Sequence, residues 1–221
     1  MKSESILQMR KITNFFSKED CEWFLWYNSV LPETRDNGLR LQTMTHFAQP
    51  FFARKLEKLH KLIPQDEEIT TLNINFDYGA GGIHSDGYLE HDKNDKIASS
   101  YLIPIQVHPT DKYYTVIFDQ TSMEAITFNG ELGLGDKGIT TYRQVSREEV
   151  GLSNEPFDKD VYDKYLTHLN YDALKGLTVT HVHEWTLGSA MTWPRQNFHV
   201  SANFKNKDTR ASVLIVTRYR W

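Results

Sequence analysis

A single cysteine, Cys21, stands in 221 residues, so the chain forms no internal disulfide and carries no cysteine-rich zinc site. Cysteine used this sparingly points to a reducing cytoplasm. No stretch approaches the run of about 18 consecutive apolar residues that a membrane span needs, and residues 1–10 contain no apolar segment of signal-peptide length. Basic charge is also scarce. With 25 Lys and Arg against 29 Asp and Glu, the formal net charge is −4, whereas a nucleic-acid binder of this size shows a basic face. The one basic concentration, Arg218-Tyr219-Arg220-Trp221, reads as an ordinary solvated terminus, although two arginines beside two aromatics also suit stacking on a base. Neither nucleic acid nor membrane is an expected partner. Aromatic bulk, by contrast, is ample: 5 Trp, 11 Tyr and 12 Phe supply the burial that offsets chain entropy and argue against global disorder. The length suggests a single domain, 1–221.

Two helices are expected early. Residues 17–30 carry an apolar side, with Ser17 as the N-cap and Asp20 at the third helical position as a short relative of the capping box. Residues 50–63 repeat apolar positions at helical spacing and end at Pro64. Together they make a helical N-terminal brace, 1–68. From Ile69 the period becomes two. Strands are expected at 70–77, 98–107, 113–118, 125–128, 176–182, 190–193, 198–204 and 211–217, which argues for a sandwich or barrel core over 69–221. An insertion at 131–175 breaks the rhythm with mixed charge, early glycines and a short helix around 160–169, and is read as a cover over the barrel mouth.

The chemistry-bearing candidates start at Gly81-Gly82-Ile83-His84-Ser85-Asp86-Gly87. In a strand, residues two apart share a face, so His84 and Asp86 converge while Ser85 turns away. A neutral imidazole with a carboxylate suits a divalent first-row metal. Read alone, the triplet marks a surface histidine with an acidic neighbour more often than a metal site. His199, on a late strand, is the candidate third ligand. If 205–208 is a hairpin loop, Asn203 pairs with Arg210 and Ser201 with Ser212, which puts Arg210 and Ser212 on the face of His199. Arg210 then sits about 13 Å along the sheet from His199, where its planar fork suits a carboxylate held at its other end by the metal.

His84-x-Asp86, a distal His199 and Arg210-x-Ser212, each on an expected strand, resemble the pattern of the iron(II)- and 2-oxoglutarate-dependent dioxygenase superfamily, in its prolyl-hydroxylase-like or phytanoyl-like branch. The resemblance covers roughly residues 70–217. It implies a mainly β fold, a double-stranded β-helix or jelly-roll barrel braced by the N-terminal helices. It implies that His84, Asp86 and His199 hold iron and that Arg210, helped by Ser212, binds the C5 carboxylate of 2-oxoglutarate. Tyr78 stands before the metal pair much as a tyrosine does in the prolyl-hydroxylase-like branch, at a different distance from His84, and on that likeness is a co-substrate contact. The implied activity is that of an oxidoreductase. The keto-acid and O2 occupy the open metal positions, succinate and carbon dioxide are released, and a hydrogen atom is removed from a small molecule, amino acid or peptide side chain, with ascorbate as a stimulant. Related halogenases lack the carboxylate ligand, so Asp86 favours hydroxylation or a kindred oxidation.

Other features compete. His181-x-His183 is a second possible metal pair of the kind a cupin-like site uses, or simply two hydrogen-bonded strand histidines. Trp185, Trp193 and Trp221 suit core packing better than a substrate pocket. Cys21 reads as a buried structural thiol, and His91 as part of a solvated charged loop. The alternative to an enzyme is a non-catalytic jelly-roll module that binds a small acid or sugar without metal.

Overall fold

The computed structural model describes residues 9–30, 34–36, 40–44, 57, 59–60, 63–77, 80–87, 96–128, 143–204 and 210–220. Tyr78, His91, Trp221, residues 131–142 and most of the expected helix at 50–63 lie outside them.

In chain order the elements are β1 (Arg10–Ile12), α1 (Lys18–Val30), β2 (Thr34–Asp36), β3 (Arg40–Met44), β4 (Glu67–Asp77), β5 (Ile83–His84), β6 (Ile97–Gln106), β7 (Tyr114–Thr121), β8 (Ile126–Phe128) and β9 (Arg143–Gln144). A short helix α2 (Lys159–Val161) then runs into a π-helical turn (Tyr162–Leu166), followed by β10 (Val179–Glu184), β11 (Ala190–Pro194), β12 (Asn197–Ser201) and β13 (Arg210–Tyr219). Among the described residues the strands form two sheets. One has seven strands in the order β1-β11-β6-β13-β4-β3-β2, the other six in the order β10-β7-β12-β5-β8-β9. Two such sheets facing each other, with neighbours distant in sequence, make a double-stranded β-helix. Every expected strand is present to within a few residues. The first 68 residues contribute more than helices, because β1, β2 and β3 also extend the seven-stranded sheet.

Helix α1 begins as the sequence requires. The Ser17 hydroxyl accepts from the Asp20 backbone N–H at 3.2 Å, while the Asp20 carboxylate accepts from the Ser17 backbone N–H at 3.0 Å. The reciprocal pair satisfies two donors that the first helical turn otherwise leaves unbonded. Its buried face, Cys21, Phe24 and Tyr27, joins Leu72, Ile74, Tyr101, Ile103, Val213 and Ile215 in one cluster on the outer side of the seven-stranded sheet.

Alternation then decides what faces inward. On β4, Leu72 and Ile74 lie in that outer cluster, so Asn73, Asn75 and Asp77 face the space between the sheets. On β13, Ala211, Val213 and Ile215 face out, leaving Arg210 and Ser212 inside. The six-stranded sheet mirrors this. Val116, Phe118, Phe198 and Val200 are packed under Val145, Phe157, Leu166, Leu169 and Leu174 of the insertion, so Thr115, Ile117 and His199 point inward. The described part of the insertion packs on the outer face of this sheet, while its His168 reaches round to hydrogen-bond the Gly81 backbone beside the metal pair.

One sequence-based pairing fails. β12 and β13 are not a hairpin: β12 pairs with β5 and β7, and β13 pairs with β4 and β6. Both edges of β13 are occupied by other strands, so β12 has no free edge to join. Arg210 is opposite Asp77, and Ser212 is opposite Asn75 and Pro104. Arg210 and Ser212 thus view His199 across the barrel, not along a shared sheet face. The C-terminal arginines are also more structural than a solvated tail. Arg218 is ion-paired with Glu68, and Arg220 donates to the Glu67 carbonyl at 3.0 Å.

Replacing Asp20 with Ala removes the capping pair. It should lower stability by about 1 kcal/mol, measured by urea unfolding, with no change in the inward-facing residues.

Candidate metal centre

The site begins at a two-residue strand. Ser85 is turned outward and tied to β8, its hydroxyl donating to the Glu124 carbonyl at 2.7 Å and its N–H to the Ile126 carbonyl at 3.0 Å. This orients His84 and Asp86 inward on either side of it. Next in the chain, Gly87 has no room for a side chain: a Cβ there would lie 2.3 Å from the Met123 carbonyl oxygen.

His199 reaches His84 through register. The two residues are direct cross-strand partners of β12 and β5, and their rings are 4.2 Å apart, centre to centre. Each imidazole is held by its own backbone. Nδ1 of His84 lies 3.0 Å from the Gly82 carbonyl oxygen, and Nδ1 of His199 lies 3.1 Å from that of Asn197. A carbonyl only accepts, so the pattern assigns the proton to Nδ1 on both rings and leaves each Nε2 with a lone pair. Nε2 of His199 is 3.5 Å from Oδ2 of Asp86. One ligand atom from each of His84, Asp86 and His199 lies within 4.8 Å of the others, and among the described residues no other group of His, Cys, Asp or Glu forms such a cluster. Asp86 and His199 are buried and His84 is half-buried. Burial by itself would raise the Asp86 carboxyl. His199 and His84 beside it, then the Ser100 hydroxyl and Arg195, hold it below the ordinary carboxylate range. The site therefore offers a carboxylate oxygen and the Nε2 atoms of two imidazoles whose Nδ1 atoms face backbone carbonyls, a donor set suited to a divalent first-row metal.

Arg210 is fully buried in the same interior. Its guanidinium carbon lies 4.0 Å from the ring centre of Phe204, 4.5 Å from Trp185 and 5.5 Å from Tyr113, and its Nε is 3.7 Å from the Asp77 carboxylate. Trp185 is fixed in turn by a 2.9 Å bond from its indole N–H to the Thr115 hydroxyl. Nearby on β13 and β4, the buried Ser212 hydroxyl and the side-chain carbonyls of Asn73 and Asn75 have no hydrogen-bond partner among the described residues. Bare polar atoms are costly inside a protein. Their presence on one inward face marks a surface suited to a polar ligand.

Among the described residues, the rival histidine pair converges on no third ligand. His181 is exposed and His183 buried, with rings 6.5 Å apart. Trp193, read as core packing, does lie in the interior, but its ring also rests 4.8 Å from that of His199. Sequence reading passed over Ser100, Arg195, Asp77 and Tyr113. Ser100 sits within an ordinary strand and Arg195 in a turn. Only the polar alternation of β4 offered a signal, for Asp77.

Burial pushes His183 down to about 4 from its ordinary 6.5, aided by Lys11 and His181 and opposed by Glu184. Below pH 6.5 the unfolded chain takes up a proton that the folded chain refuses, so this group's contribution is intact above 6.5 and is lost as pH falls toward 4. His183→Gln should lessen the fall in stability between pH 7 and pH 5 by up to about 1.4 kcal/mol per pH unit, read by urea unfolding at each pH. In the metal centre, Gly87→Ala should weaken Mn(II) binding about 10-fold or more, read by calorimetry, because the added carbon displaces the peptide that follows Asp86.

No family sequence model matches the chain, and no curated protein matches it in sequence. Solved structures do match by shape. The 2-oxoglutarate-dependent epimerase SnoN from nogalamycin biosynthesis aligns at a TM-score of 0.56 with 9% identity, over 97% of this chain and 82% of its own. HygX from Streptomyces hygroscopicus, solved with nickel and 2-oxoglutarate bound, aligns at 0.55 with 11% identity, over 97% and 84%. The carbocyclase SnoK aligns at 0.53 with 10% identity, over 97% and 83%. The agreement extends over nearly the whole chain, and these folds share the two-sheet arrangement seen here; the chain has the double-stranded β-helix fold of the iron(II)- and 2-oxoglutarate-dependent oxygenases.

Proposed function

We propose that the chain is an iron(II)- and 2-oxoglutarate-dependent oxygenase that hydroxylates a small molecule, amino acid or peptide side chain. The observation that carries this reading is the meeting of one ring nitrogen from each of His84 and His199 with one Asp86 carboxylate oxygen within 4.8 Å, in a barrel that also encloses Arg210. Two histidines and one carboxylate occupy one face of a metal's coordination sphere and leave positions open for ligands, the donor set of non-haem iron(II) oxygenases.

His84, Asp86 and His199 would hold the iron. Arg210, with the Ser212 hydroxyl, would receive the far carboxylate of 2-oxoglutarate, and Tyr78 is proposed as a further contact of the co-substrate. With both groups and O2 bound, oxidative decarboxylation to succinate and carbon dioxide supplies the oxidant. The chain's own residues prepare for this. The Nδ1–H bonds to the Gly82 and Asn197 carbonyls keep both imidazoles in the ligating tautomer. The depressed Asp86 carboxyl stays ionised at neutral pH without releasing a proton on metal binding. The rings of Phe204, Trp185 and Tyr113 exclude water from Arg210, so an incoming carboxylate meets a strong, weakly screened charge. Asp77 shares that guanidinium, and its ion pair with Arg210 must loosen or rearrange as the co-substrate binds. Proteins of the same fold include an epimerase and a carbocyclase, so the outcome of the oxidation depends on which substrate atom is presented. The Asp86 carboxylate favours oxygen transfer over halogenation.

Adding iron(II) and 2-oxoglutarate under anaerobic conditions should produce a weak visible charge-transfer band. Arg210→Ala should raise the 2-oxoglutarate concentration needed for half the band about 10- to 100-fold. Asp86→Ala should cut succinate release on admitting oxygen by about 100-fold or more. Folded, iron-loaded protein that gives neither band nor succinate would overturn co-substrate binding, and folded protein that takes up no iron would leave a metal-free ligand-binding jelly roll as the better reading.

A further inference from the structure

We infer that Ser100 and Arg195 are the positioning residues of the metal carboxylate, an inference that rests on the metal-centre reading above. The two imidazoles are steadied by their own backbones. Asp86 is placed differently. It lies beyond the end of β5, a strand of only two residues, and outside its ladder. What holds it comes largely from the opposite, seven-stranded sheet.

Ser100 of β6 is fully buried and donates its hydroxyl proton to Oδ2 of Asp86 at 2.7 Å. That same oxygen faces Nε2 of His199 at 3.5 Å. Ser100 is the direct cross-strand partner of Trp193, whose ring backs His199, so one rung of the seven-stranded sheet supports both ligands. Arg195 follows β11 and spans the gap between the sheets. Its Nε donates to the Asp86 carbonyl at 2.8 Å, one terminal nitrogen to the Gly87 carbonyl at 3.1 Å and the other to the Thr217 carbonyl of β13 at 3.1 Å. Its own backbone carbonyl accepts from the Asp86 N–H at 2.9 Å, and its N–H donates to Ala98 of β6 at 3.1 Å. The planar guanidinium supplies several donors in fixed directions, a geometry an ammonium cannot copy. Ser100 therefore sets the rotation of the carboxylate and Arg195 the path of the chain that carries it, before any ion arrives. Preorganising a ligand in this way raises metal affinity, and removing such a partner costs about 10- to 100-fold.

The test uses Mn(II) and Co(II) as probes, with no turnover required. Ser100→Ala should bind Mn(II) about 10- to 100-fold more weakly than the parent and shift the Co(II) visible spectrum, while Ser100→Thr, which keeps the hydroxyl, should return affinity to within a few-fold. Arg195→Lys should weaken Mn(II) about 10-fold. Ser99→Ala is the control. Its hydroxyl bonds Glu67 on the other face of the same strand, so it should lower stability without moving Mn(II) affinity or the Co(II) spectrum. If Ser100→Ala keeps parental affinity and spectrum, or Ser99→Ala weakens Mn(II) as much, the positioning role is overturned. If instead the parent fails to bind Mn(II), or His199→Ala binds it equally well, the metal-centre reading itself fails. The Ser100 pair decides should Arg195→Lys not fold.

Discussion

A single rung of the six-stranded sheet, His84 opposite His199, is the constraint on which the site depends. Directly opposed residues in an antiparallel pair bring their side chains within a few ångströms. A slip of one residue in β12 would send His199 outward and bring Phe198 or Val200 into the barrel. The outer packing resists that slip. Phe198 and Val200 are buried beneath the insertion, beside Val116 and Phe118, so moving the imidazole out would also move two apolar side chains away from their partners. Stability of the outer layer and geometry of the inner site are thus set by one register.

The interior reverses the usual arrangement of a barrel wall. β4 and β13 give Leu72, Ile74, Ala211, Val213 and Ile215 to the helix-covered outside and the polar Asn73, Asn75, Asp77, Arg210 and Ser212 to the inside. A buried Arg–Asp pair is weak support for stability, since desolvation offsets most of its attraction. The apolar, partly aromatic cluster around α1 carries the cohesion instead, and the polar lining is left for binding. The same division explains the two ways in which the three candidate ligands are held. Histidines sit on paired strands, where their own carbonyls suffice. Asp86 sits past a strand end and draws its support from the other sheet.

Fold and reaction are separate matters here. A double-stranded β-helix hosts several oxidative outcomes, and the donor set constrains the metal chemistry more than it constrains the substrate. The proposed hydroxylation therefore rests on the site residues, and the substrate's shape is governed by the surroundings of the open metal positions.

Much was legible along the chain. The period-two alternation located the strands, Ser17 with Asp20 marked the start of α1, and His84-x-Asp86 announced a shared face, because these depend on neighbours a few residues away. The hairpin between β12 and β13 was misread for a matching reason: alternation tells which side a residue takes but not which strand lies beside it. That choice, together with the recruitment of β1, β2 and β3 to the large sheet and the reach of Ser100 and Arg195 to Asp86, was made by tertiary structure. Local order follows from local sterics and hydrogen bonding, whereas the meeting of residues as distant as 86 and 195 depends on how whole sheets bury their apolar faces, and no short stretch of sequence contains that information.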